Sequence, residues 1–408
     1  MPPGHGGGRG VRGRSGHVAI LGTGMTDMSR RDLSPEAMAH QAVHEALADA
    51  AVEADELALV VTSNALGGRL CDQGCIRGQS WLRKAGLGNV PVVNVDNSCA
   101  GGTSGAHLAT FVARADAGAV LVLGVEKMWT GDRAATMAGI EDGLPADYRA
   151  DMHARFVSEQ NPGGSVLMAL NDRWARECME EHDATLEQFA AAAVKARLHA
   201  SWNPMAQVQE AVTIDEVLSA PQVSGVLTRL MCSSFTDGAA AMVLGPAEKA
   251  PLGAPRIIAS VARSGNGDMD YHDRLADTAA AMWEESGLGP SDFDLTEIHD
   301  ATSPEEIYAL ESLGLFGIGE AGPATLAGDT TIGGPGLTVN PSGGLVGRGH
   351  PLGATGLAQL VELAIQLRGR GGHRQVPGAR LGLAVNTGGV IEGDAAYVGL
   401  HAVAAGAR

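Results

Sequence analysis

The sequence predicts an α/β protein built from two βα-alternating halves of similar size, and three features carry that reading. Short runs of β-branched and aliphatic residues, several ending at glycine, recur between longer helical stretches along the chain. At 408 residues the chain is too long for one core, so two domains of ordinary size are expected. Glycine at 57 residues with aromatics at only 4% fits many tight turns and close backbone approaches. Strands alternating with helices imply a parallel sheet with right-handed crossovers.

Residues 1–16 are Gly/Arg-rich without apolar periodicity and are expected to be a disordered tail. The N-terminal half is expected over 17–250, opening with a buried strand at His17–Met25 that ends in a glycine turn. Ser34 reads as an N-cap with Pro35 at the first helical position, so a helix should run from Pro35 to Ala54. A strand at Leu57–Thr62, a helix at Arg77–Ala85 and a strand at Val92–Asp96 follow. The next helix runs towards Arg114, before a strand at Ala119–Gly124. From about 126 to 230 Met, Trp and charged residues become common, and helices at Ser165–Glu181 and Leu186–His199 succeed one another without a strand between. This texture marks an insertion folding over the site. Strand character returns at Thr236–Leu244, and the Pro/Gly-rich stretch Gly245–Pro255 reads as a linker.

The C-terminal half, 251–408, restarts with a strand at Arg256–Val261 and a helix at His272–Ser286. A strand-like stretch Leu295–His299 leads into the helix Pro304–Leu313, then a Gly-rich loop Thr325–Gly336. A glycine-laced segment Leu345–Gly353 precedes the helix Ala354–Leu367, and strands at Leu381–Val385 and Ala395–Leu400 end the chain.

The net charge of −18 argues against nucleic acid or an anionic membrane surface as partner, and an anionic substrate would need a local basic patch. No apolar run reaches the roughly 20 residues that span a bilayer. Five scattered cysteines, an odd number with no signal peptide ahead of them, read as reduced and cytoplasmic. Cys71 and Cys75 lack a second Cys or His pair at zinc-site spacing, so no metal site is expected.

Two motifs carry chemistry. In the stretch from Val92 to Ala109, Cys99 sits where a strand gives way to a helix N-terminus, whose free N–H groups and dipole favour a thiolate. Ala100, Gly101, Gly102 and Gly105 leave room for a substrate beside the sulfur. A free cysteine is ordinarily just a small buried hydrophobe. The strand–Cys–small–Gly–Gly–helix setting argues for a nucleophile instead. The second motif runs from Asn340 to Gly356 and holds His350 among glycines and prolines just before a helix. Such packing suits a base pressed against a ligand with its ring held fixed, the bland alternative being a helix cap.

These motifs, with Ile298-His299-Asp300-Ala301 and the segment Met231–Ala240, resemble the thiolase superfamily, and within it the sterol-carrier-protein-type thiolases, over nearly the whole chain. The resemblance implies a five-layered αβαβα thiolase fold from two related halves with a loop domain inserted in the first. It implies Cys99 as acyl-accepting nucleophile and His350 as its base and as a donor to the substrate oxyanion. It places His299 in a first oxyanion hole, and the backbone N–H groups of Cys99 and of Gly388, in Asn386-Thr387-Gly388-Gly389, in a second. Two departures bear on the chemistry. The second cysteine of ordinary thiolases is here Asn386, and the cysteine expected after His-Asp in the sterol-carrier type is here Ala301.

The function so implied is acyl transfer from an acyl-CoA-type donor through a Cys99 thioester to a carbon nucleophile. CoA enters as substrate and no separate cofactor is expected. Alternatives are a decarboxylative condensing enzyme with a Cys-His-His triad, a degradative 3-ketoacyl-CoA thiolase, or a subunit without activity of its own; a steroid side-chain aldolase ranks below these. A homodimer or homotetramer is expected, with a small OB-fold (DUF35-like) protein as a further partner. Asp96, His107, the 128–153 run and the tryptophans are assigned to packing, to support of the site or to loop surface rather than to catalysis.

Overall fold

The computed structural model describes residues 17–29, 31–115, 118–156 and 164–407; the expected tail at 1–16 lies outside them. Ten strands form the main sheet: β1 Val18–Met25, β2 Leu57–Ser63, β3 Val92–Val95, β4 Ala119–Glu126, β5 Gly238–Pro246, β6 Arg256–Ser264, β7 Leu295–Glu297, β8 Thr338–Val339, β9 Leu381–Ile391 and β10 Asp394–Ala404. The principal helices are α1 Pro35–Ala50, α2 Gly101–Arg114, α3 Val166–Glu181, α4 Leu186–Ser201, α5 Tyr271–Ser286, α6 Ser303–Ser312 and α7 Thr355–Leu367.

Both halves use the same strand order. The first reads β3-β2-β4-β5-β1 and the second β8-β7-β9-β10-β6. The pairings repeat as well: β3, β2 and β4 are parallel, as are β8, β7 and β9, while the remaining pairs are antiparallel. The expected all-parallel sheet is therefore mixed. The reason is connectivity: β9 passes to β10 through the two residues 392–393, too few for a crossover, and β5 returns from the insertion antiparallel to both neighbours.

Layers follow from what each face buries. One face of the first half-sheet packs α1, with Met38, Ala42, Val43 and Ala46 against Val60, Leu121 and Val243. Its other face, with Val61, Val122 and Met242, meets α2 and α7 in a central layer that also covers Leu295 and Ala384 of the second half. The outer face of the second half-sheet, with Leu383, Val398 and Leu400, packs α5, α6 and the inserted helices α3 and α4. The result is αβαβα. Alternate residues of one strand serve different layers (Leu121 outward, Val122 inward), as the period of two requires.

Several boundaries moved. α1 stops at Ala50 because Ala51 turns left-handed at φ 51°, four residues short of the expected end. The segment expected as a linker is packed instead. Ala247 and Ala254 bury against Ala19, and β1 pairs with both β5 and, through Val18–Ile257 and Ala19–Arg256, β6. The stretch expected as a Gly-rich loop from Thr325 overlaps a short helix, Ala321–Ala327.

Candidate active site

Cys99 follows the end of β3. Ser98 adopts φ 51°, and this left-handed step turns the chain so that Cys99 enters a single helical turn leading into α2. His299 follows the end of β7, and His350 precedes α7. These are equivalent ends of parallel strands and the loops beyond them, where open α/β sheets place their ligand sites. One side-chain ligand atom from each of Cys99, His299 and His350 lies within 4.8 Å of the others. The two imidazoles meet edge to face with centroids 5.1 Å apart.

The helix pair α2 and α7 holds this geometry. A Cβ on Gly356 would fall 1.9 Å from Thr103 Oγ1, and one on Gly102 would lie 3.0 Å from the Gly353 carbonyl oxygen. Only backbone fits there, so the helix carrying Cys99 and the helix behind His350 cross in direct contact.

Hydrogen bonds set the imidazole tautomers. Thr355 Oγ1 donates to the Pro351 carbonyl at 3.1 Å, so at 2.7 Å from His350 it accepts the Nδ1 proton. The Nε2 lone pair of His350 is then free to take a proton. His299 Nδ1 accepts from Asn386 Nδ2 at 3.0 Å, which puts its proton on Nε2. Asn386 therefore orients His299. Burial holds both imidazoles well below the ordinary histidine range, and His299 and Arg348 add to the effect on His350. Both are neutral.

Cys99 departs from expectation. Burial pushes its thiol up to about 12, against a weak hydrogen bond from Ser98 Oγ at 3.8 Å, with the Glu126 carboxylate adding to the rise. A helix N-terminus contributes about 0.3–1 kcal/mol, under one pK unit, whereas desolvation can shift a buried group by several. Desolvation wins, and the resting pair is thiol and neutral imidazole.

Gly388 and Gly389 sit on β9 beside this centre. A Cβ on Gly388 would lie 2.1 Å from the Asn97 carbonyl oxygen and 2.6 Å from the Ala100 nitrogen, so the strand backbone abuts the turn that carries Cys99. Gly389 has φ 71°. Gly388→Ala should displace that turn. Since a misplacement of about 1 Å can cost about 100-fold, we expect acylation of Cys99, followed by intact mass, to fall by about that factor while the far-UV spectrum is kept.

A cavity of about 590 Å³ opens onto Cys99, His299, His350, Gly388 and Gly389. The insertion roofs it: Met128, Trp129, Arg133, Ile140 and Trp174 line it, so part of the 128–153 run and two of the tryptophans reach the cavity. Arg31, Arg133 and Arg229 bring positive charge into the same cavity, Arg31 lying 4.4 Å over the Trp129 ring. This is the basic patch that an anionic substrate would need. Cys232, Tyr271, Glu305 and Thr387 also face it, and sequence reasoning gave none of them a role. Their only signal is proximity to a motif, since Glu305 lies six residues past His299 and Thr387 beside Gly388. Asp96 pairs with Arg77 and His107 with Ser260, away from the cavity. Among the described residues Cys71 and Cys75 join no potential metal-ligand group.

Comparison with known proteins agrees with this architecture. Residues 18–248 match the family described as "Thiolase, N-terminal domain" and residues 262–399 that described as "Thiolase C-terminal domain-like". The chain is 34% identical over 392 residues to sterol carrier protein 2 of Bos taurus, covering 91% of this chain and 70% of that one. It is 35% identical over 386 residues to an acetyl-CoA acetyltransferase of Methanothermobacter thermautotrophicus, covering 91% and 96%. The solved structure of an "Ltp2-ChsH2(DUF35) aldolase" shares the fold at a TM-score of 0.76 and 23% identity, covering 96% of this chain and 98% of that one. The chain thus belongs to the thiolase family, with the sterol-carrier-protein type that its cysteine, His-Asp and Gly-His-Pro motifs resemble.

Proposed function

We propose that this thiolase-family enzyme is an acyltransferase whose Cys99 takes an acyl group from a CoA thioester and passes it to a carbon nucleophile. The observation that carries this reading is the convergence of Cys99, His299 and His350, whose ligand atoms lie within 4.8 Å of one another at the floor of one cavity. As the sulfur attacks the thioester carbonyl, His350 Nε2 takes the thiol proton. The His299 Nε2–H, or the backbone N–H groups of Cys99 and Gly388, donate to the developing oxyanion. Collapse expels the CoA thiolate, which leaves with the proton held by His350. The acyl-Cys99 thioester then meets a carbanion, and sulfur departs as the new C–C bond forms. The three cavity arginines offer counter-charge for an anionic donor in a chain of net charge −18.

Intact-protein mass spectrometry with a panel of acyl-CoAs tests this. An acyl increment is expected on the native chain and not on Cys99→Ala. An increment that persists in Cys99→Ala would overturn the reading.

The proposal includes a homo-oligomer and a DUF35-type partner. β3 is a sheet edge with Val93 exposed, and Leu108 and Phe111 on α2 are about half exposed, surface that a second copy would cover. The aldolase of like fold carries a DUF35 component in its name. Size in solution, alone and with a co-encoded DUF35 protein, tests both. A reducing cytoplasmic setting suits the five free cysteines. Among the described residues no helix is long and apolar enough to cross a membrane.

A further inference from the structure

Acyl transfer to a carbon acid needs a base for its α-proton, and the two positions where relatives would supply sulfur hold Ala301 and Asn386. Asn386 is committed to His299. Among the described residues the cavity offers one carboxylate: Glu305, in the first turn of α6, which starts just past the His299 segment. The other acids of that helix are engaged elsewhere. Glu306 binds Lys195 and Asn340, and Glu311 binds His182 and the Ala321 N–H. Glu305 is 4% exposed and hydrogen-bonds His272 Nε2 at 3.3 Å. His272 in turn stacks on Tyr308 at 3.4 Å, and its Nδ1 lies 3.8 Å from Asp270. Its neighbour Tyr271 reaches Thr387 Oγ1 at 2.6 Å, beside Gly388, and stacks on Trp174. The wall that holds Glu305 is thereby tied to the strand against which the Cys99 turn rests.

We propose that Glu305 is the acid/base that moves the α-proton of the acceptor, held in place by His272. This rests on the acyltransferase reading above. In the step, a Glu305 carboxylate oxygen takes the proton as the acceptor's α C–H bond breaks, and the electron pair passes into the thioester enolate. The enolate carbon attacks the acyl-Cys99 carbonyl, the C–S bond breaks, and sulfur leaves as thiolate. The proton gained by Glu305 returns, by way of the cavity, to restore the Cys99 thiol. Burial alone would lower the His272 pKa, but Glu305 and Asp270 outweigh it and hold it above the ordinary value.

The test follows deuterium uptake at the α-carbon of acetyl-CoA and butyryl-CoA in D2O, alongside acylation of Cys99 by mass. For Glu305→Gln we expect uptake per acylated Cys99 to fall about 100-fold, with Glu305→Asp recovering part of it. Adduct formation in the same sample reports that the variant is folded. Uptake by Glu305→Gln at the native rate would overturn the proposal. So would a native enzyme that acylates but takes up no deuterium, or a loss confined to Cys232→Ser, the remaining thiol in the cavity. Absence of any Cys99 adduct in the native enzyme would instead remove the acyltransferase reading beneath it.

Discussion

His350→Ala should slow acylation of Cys99 by about 10²- to 10⁴-fold, the span of general-base catalysis. With the thiol pushed up to about 12, only about one sulfur in 10⁵ would be ionised at pH 7. His350 lies well below its ordinary value and is neutral there. On the proposed reading the nucleophile is therefore made during the attack, by transfer to Nε2, and His299, whose Nδ1 already accepts from Asn386, does not replace that acceptor. Thr355→Val, which keeps the ring but removes the acceptor of its Nδ1 proton, should give a smaller loss. The same pair makes a pH prediction. A preformed thiolate–imidazolium pair would be alkylated by iodoacetamide at a rate level from about pH 5 to 8. A raised thiol pKa beside a lowered histidine pKa means that the sulfur ionises only in alkali. The alkylation rate of Cys99 should rise with pH through 9, and a plateau near neutrality would contradict the assignment.

Arg348→Met should destabilise the protein by about 3–5 kcal/mol, the cost of leaving a buried charge without its partner. Arg348 and Glu297 are both fully buried, 3.2 Å apart, and share Ser342 Oγ, which donates to Glu297 at 2.7 Å and lies 3.2 Å from Arg348. Nε and Nη2 of Arg348 have no hydrogen-bond partner among the described residues, so the pair is only partly compensated. Burial raises the Glu297 pKa and Arg348 opposes that rise. Removing the arginine raises it further. An acid whose folded pKa lies above its unfolded value loses stability as pH rises between them, so the deficit should be larger at pH 8 than at pH 5.5 in thermal unfolding. Converting both partners, as Glu297→Gln with Arg348→Met, should recover most of the loss. Because Arg348 sits two residues before His350, the single variant should also slow Cys99 acylation.

Much of this was legible in the linear chain. Strand runs, the Ser34–Pro35 helix start and the glycine-laced motifs depend on neighbours in sequence, where periodicity and turn chemistry act. Cys99 and His350 stand out because each lies at the entry to a helix among small residues, whereas His299 is marked only by the resemblance of Ile298-His299-Asp300-Ala301 to the family motif. What the tertiary structure decided depends on atoms far apart in sequence. The antiparallel returns of β5 and β10 come from pairing across the sheet, and the high Cys99 pKa from burial that no local pattern encodes. The tautomers of His299 and His350 rest on Asn386 and Thr355. Trp129, Arg133 and Glu305 reach the cavity only once the insertion folds over it and α6 packs against the inserted helices. Local propensity is written in adjacent residues, whereas desolvation and hydrogen-bond partners exist only after distant segments have met.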